Sequence, residues 1–74
     1  MSSAHSARYR RFLQRLRAAR RDAHLTQAEA ARAMRKPQSY VSKCESGERR
    51  VDVVELARFA ALYRPEGERY LADL

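Results

Sequence analysis

Tryptophan is absent from this 74-residue sequence, cysteine occurs once, and glycine and proline occur twice each. The lone Cys44 excludes an intrachain disulfide framework and points to a reducing compartment. Two isolated histidines, His5 and His24, offer no metal-ligand spacing, and no cofactor is expected. Nor do they bring a nucleophile, a base and an orienting group together, and no paired carboxylates project from one face, which argues against an enzyme. No apolar run is long enough to span a bilayer, and no hydrophobic stretch near Met1 reads as a secretory leader. The expected location is therefore the cytoplasm, with no membrane partner. Internal repeats and low-complexity segments are missing as well.

What is present is positive charge. Lys and Arg number 16 against 9 Asp and Glu, a formal net charge of +7. A balance this basic in so short a chain suggests a polyanionic partner. The charge is also unevenly placed. Seven arginines lie between Arg8 and Arg21 with no acid among them, whereas beyond Val51 the acids Asp52, Glu55, Glu66, Glu68 and Asp73 outnumber Arg58, Arg64 and Arg69. Apolar residues make up 45% of the chain, but with few aromatics the core must come from Leu, Val, Ala, Met and a few rings on small, closely packed helices.

Helical spacing recurs in every segment and no alternating strand pattern persists, so the expected class is all-α. Residues 1–5 read as a disordered arm and 6–74 as a single domain of five helices. A first helix over 6–22 carries Tyr9, Phe12, Leu13 and Leu16 on one stripe, and one further turn brings Arg20 onto the same stripe. A second, from Thr26 to about Met34, opens with a capping box, Thr26 and Glu29. Pro37 suits the start of a third helix over 38–46, and Gly47 suits its left-handed end. A fourth begins at the cap candidate Asp52 and carries Leu56, Phe59, Ala60 and Tyr63. Pro65 separates it from a short fifth over 66–73, with an apolar edge of Tyr70, Leu71 and Leu74.

The stretch KPQSYVSKCESGERR, Lys36 to Arg50, holds the most information. Val41, Cys44 and Glu45 fall on one side of the third helix at i, i+3 and i+4, while Gln38, Ser39, Ser42, Lys43 and Ser46 fall on the other. A purely solvated face would use better helix formers than three serines. Two short helices joined by a tight turn, the second with such a face, make a helix-turn-helix. In a major groove, Gln can pair with adenine N6 and N7, Lys can donate to guanine O6 and N7, and Ser can serve several bases. Gln38, Ser39 and Lys43, with Ser42 beside them, are the candidate base contacts. Lys36, Ser46, Arg49 and Arg50 flank them as candidate phosphate contacts. Arg35 is either a further phosphate contact or a plain turn residue. The cluster Arg8, Arg10 and Arg11 is either an arm on DNA or the outer face of the first helix, and the outer face is favoured. Cys44, facing inward, reads as a small hydrophobe rather than a redox switch.

From Leu16 to Tyr63, about two-thirds of the chain, the sequence resembles the repressor/Cro-type helix-turn-helix family, also called xenobiotic-response-element-type regulators. The resemblance is carried by Leu16 and Arg20, Leu25-Thr26-Gln27, Ala31, Val41-Ser42-Lys43, Glu45-Ser46-Gly47 and Asp52 through Ala60. It implies a lambda-repressor-like five-helix bundle, double-stranded DNA as partner, and action as a homodimer. It further implies a phosphate contact by Gln27 and an ion pair between Arg20 and Glu45, both already placed inward by their spacing. Tyr70, Leu71 and Leu74 are the candidate dimer surface, unless that edge closes the monomer core. Two departures stand out. Arg35 occupies a turn position often held by Gly, and Ala30 a position usually held by Leu, so that Tyr40 or Phe59 is expected to fill the volume. The alternative function is a protein-interaction module, such as an antitoxin that masks a partner protein.

Overall fold

Ser6, Thr26 and Asp52 each lie in extended backbone, and each accepts a hydrogen bond from the backbone N–H three residues on, at 3.1, 3.1 and 2.8 Å. In the computed structural model, which describes residues 6–64, a helix begins directly after each. These are α1 (Ala7–Asp22), α2 (Gln27–Ala33) and α4 (Val53–Tyr63). Glu29 and Glu55 complete reciprocal capping boxes at α2 and α4. Between them α3 (Gln38–Ser46) starts at Pro37 and ends at Gly47, whose φ of 88° needs no Cβ clearance. Four helices, rather than the five expected, are present among the described residues. The expected fifth helix over 66–73, with Tyr70, Leu71 and Leu74, and the arm over 1–5 lie outside them.

The core joins Phe12, Leu13, Leu16 and Ala19 of α1 to Ala30, Ala31 and Met34, to Tyr40, Val41 and Cys44 of α3, and to Phe59 and Tyr63 of α4. Small alanines let α2 lie close against α3, its most extensive partner. In the same cluster the Tyr40 and Phe59 rings stack at 6.2 Å, supplying the bulk that Ala30 does not. Tyr9, only half-buried, serves a second purpose. Its hydroxyl accepts the Val51 N–H at 3.0 Å and so ties α1 to the connection before α4. Among the described residues no helix is long and apolar enough to cross a membrane.

Helix ends that carry no glycine account for the two positive-φ side chains, His24 at 60° and Arg35 at 59°. Both close Schellman motifs. After α1, His24 N–H reaches Arg21 O and Leu25 N–H reaches Arg20 O; after α2, Arg35 N–H reaches Arg32 O and Lys36 N–H reaches Ala31 O. A left-handed conformation costs an L-residue about 1 kcal/mol or more. Arg35→Gly and His24→Gly should therefore each stabilise the domain by about 1 kcal/mol, read as a Tm rise of roughly 4–8 °C. A fall in Tm for either variant contradicts that account.

Candidate nucleic-acid interface

Three groups converge on one carboxylate at the end of α3. Glu45 is 2% exposed. Its Oε2 accepts from Arg20 Nε at 2.6 Å, and its Oε1 accepts from Arg20 Nη2 at 3.1 Å and from Gln27 Nε2 at 3.0 Å. The remaining Arg20 amino group donates to Leu25 O at 2.9 Å, inside the turn that closes α1. Arg17, one turn earlier on α1, donates to Glu45 O at 2.8 Å. It thereby satisfies one of the carbonyls that a helix end leaves without an intrahelical donor. The Glu45 carboxylate in turn raises the affinity of the Arg20 guanidinium for its proton. Arg17 was not anticipated from the sequence, although its i, i+3 relation to Arg20 is the signal that would have found it.

This anchoring presents the opposite side of α3 outward. Gln38, Ser39 and Lys43 are exposed and, among the described residues, make no side-chain hydrogen bond or ion pair; Ser42 is half-buried beside them. Ser46 Oγ is engaged locally, donating to Lys43 O and accepting from Glu48 N–H, both at 3.2 Å. Gln27 lies at the start of α2, half-buried, with one amide hydrogen directed to Glu45 and a second left for another acceptor.

Cations frame this face. Lys36 Nζ lies 5.2 Å from the centre of the Tyr40 ring and the Arg49 guanidinium 5.0 Å from it, so one aromatic ring holds charges from before and after α3. Arg50 sits 4.4 Å from the centre of the Tyr9 ring. Arg49 is also paired with Glu55 Oε2 at 2.6 Å, and the same oxygen accepts the Tyr40 hydroxyl at 3.0 Å. The pairing of Arg49 with Glu55 joins residues on separate elements, which spacing along the chain does not reveal. Arg35 is exposed in the turn between α2 and α3. Cys44 is fully buried, and burial pushes its thiol pKa up, which makes it a poor thiolate.

Two short helices, α2 and α3, thus meet through a tight turn, with α3 seated by its inner face and polar on its outer one. A model of the helix-turn-helix domain matches residues 11–70. The chain belongs to the helix-turn-helix domain family. No curated protein matches it. Within it α2 and α3 are the two helices joined by the tight turn, α3 being the second.

The two capping boxes of this helix-turn-helix domain give it an acid-sensitive edge. Backbone and hydroxyl donors of Thr26 hold the Glu29 carboxyl below its ordinary value of 4.5. At Glu55 partial burial pushes upward, but the Asp52 N–H, the Tyr40 hydroxyl and Arg49 together outweigh it and hold the group below 4.5. With folded values below the unfolded ones, the unfolded chain takes up protons first as the pH falls. The stability these groups contribute is complete above the ordinary carboxylate range and is lost as the pH falls through their folded values. The Tm should accordingly be level near neutral pH and fall below about pH 4.5, with a shallower acid limb in Glu55→Gln. Circular-dichroism melts across that range check this; an acid limb equally steep in the variant would exclude Glu55 as a contributor.

Proposed function

We propose that the chain is a sequence-specific regulator of repressor/Cro type that binds double-stranded DNA as a homodimer, one α3 in each of two successive major grooves about 34 Å apart. Gln38, Ser39, Ser42 and Lys43 read base edges. Gln27, Arg35, Lys36, Ser46, Arg49 and Arg50 meet backbone phosphates, and Arg20 with Glu45 holds α3 in place. The observation that carries this reading is the polar outer side of α3, left open and framed by cations that aromatic rings hold in position. The net charge of +7 supports a polyanionic partner in the same sense.

Selection from random duplexes, followed by fluorescence anisotropy on the enriched site at several salt concentrations, tests it. A palindrome with a steep salt slope is the expected result. Binding without any enriched sequence leaves charge alone as the driving force and removes the sequence-specific reading.

A second reading, a module that docks on another protein, draws on Val53 and Val54, which are 78% and 66% exposed. Val53 lines an apolar groove of about 270 Å³ together with Tyr9, Phe12, Val51 and Leu56. Failure to enrich any duplex, with Val54→Asp improving solubility, is the pattern this reading expects.

A further inference from the structure

A second groove, of about 260 Å³, lies between α1 and the C-terminal end of α3, lined by Arg10, Leu13, Gln14, Arg17 and Ser46. It is continuous with the outer side of α3, because Ser46 follows Ser42 by one helical turn. Arg10, Gln14 and Arg17 recur at i, i+4 and i+7 on one face of α1, and Arg21 extends the row. The acid of α1, Asp22, falls off it. Two wall groups are fixed by their neighbours. Arg17 is held through Nη1 by Glu45 O at 2.8 Å, leaving its other N–H groups to a ligand, and the Ser46 hydroxyl is oriented by Lys43 O and Glu48 N–H.

Two guanidiniums and an amide on a concave surface form the donor set that suits the oxygens of a phosphoryl group, since guanidinium forks match them two at a time. We infer that this groove is a phosphoryl-oxyanion site. The site takes its anion from one of two sources: a backbone phosphate of duplex DNA, or a small phosphorylated molecule. The duplex source rests on the DNA-binding reading, and it places a phosphate contact on the α1 side of α3, in addition to those of Lys36, Arg49 and Arg50.

Gln14→Glu places a like charge in the groove on an exposed position where Glu is a good helix former, so the fold is kept. Ala61→Glu, exposed on α4, controls for the added negative charge. Inorganic phosphate is titrated into the isotopically labelled full chain while the amides of residues 10, 14, 17 and 46 and the Arg Nε–H signals are followed. The same three proteins are then measured on the selected duplex as a function of salt. The expected result is phosphate-dependent shifts at these residues that vanish in Gln14→Glu. With them, the slope of log K against log salt should fall by about 0.9 in Gln14→Glu and stay unchanged in Ala61→Glu. Shifts with an unchanged slope assign the site to a small phosphorylated molecule, and a lowered slope without shifts assigns it to the duplex alone. Neither shifts nor a lowered slope overturns the inference. If no duplex is enriched, the DNA-binding reading fails separately, and the phosphate titration decides the groove by itself: shifts uphold it and their absence overturns it.

Discussion

Replacing Arg20 with alanine is expected to cost about 3–5 kcal/mol of stability, a Tm loss of roughly 12–40 °C in a domain of this size. The size of the effect follows from what the substitution leaves behind. Arg20 and Glu45 side chains are only 11% and 2% exposed, and they meet through two parallel hydrogen bonds. Without the guanidinium, Glu45 remains a buried carboxylate with Gln27 as its sole side-chain donor among the described residues, and Leu25 O loses the donor that closes the turn after α1. An unpaired buried charge is far costlier than a paired one is favourable. Arg20→Lys should recover only part of the loss, because an ammonium cannot present the forked geometry. The double variant Arg20→Met with Glu45→Leu should be milder than Arg20→Ala, since it removes the charge as well as its partner. Thermal melts of all of these decide the matter. If Arg20→Ala melts within a few degrees of wild type, the pair does not hold α3 in place.

How far the sequence alone revealed this arrangement depended on the range of each signal. Caps were legible because they are local: Thr26 with Glu29 and Asp52 with Glu55 can be read from a spacing of three, and the structure shows both boxes. The inward stripe of α1 was legible because a 3.6-residue period repeats over several turns, which placed Arg20 with the apolar residues. Helix ends at His24 and Arg35 were harder, since the usual marker, glycine, is missing from both. At Arg35 the family resemblance marked a position often held by Gly, whereas at His24 only the fold reveals the left-handed conformation. Arg49 with Glu55, Lys36 over Tyr40 and Arg50 over Tyr9 join residues on different elements, so no periodicity along the chain encodes them. The expected positions of Tyr70, Leu71 and Leu74 fall outside the described residues. The outer face of α3 was the most legible feature of the candidate site. Three serines in a nine-residue helix make little sense as solvated surface, whereas the structure keeps that side open.

Lys43→Ala and Gln38→Ala are each expected to reduce discrimination between the selected duplex and a single-base variant by about 1–3 kcal/mol, roughly 5–150-fold, while Arg50→Ala weakens all sequences alike. The contrast arises from what the two kinds of contact can sense. A base edge presents donors and acceptors that differ between pairs, so the loss of an ammonium or amide facing it is felt at one position of the site. Phosphates are the same at every step, so a lost guanidinium lowers affinity uniformly and reduces the salt slope by about 1. Arg50 should behave as a held cation rather than a loose one, because it lies 4.4 Å from the Tyr9 ring, and that ring is fixed by the Val51 N–H. Tyr9→Leu should therefore mimic part of the Arg50→Ala loss without altering which sequence is preferred, although the core contribution of Tyr9 requires its melt to be measured alongside. Competition anisotropy with single-base variants separates the classes. Should Lys43→Ala and Gln38→Ala lower affinity equally for every duplex, the outer side of α3 would be a phosphate-binding surface, and the reader of sequence would have to be sought on another element.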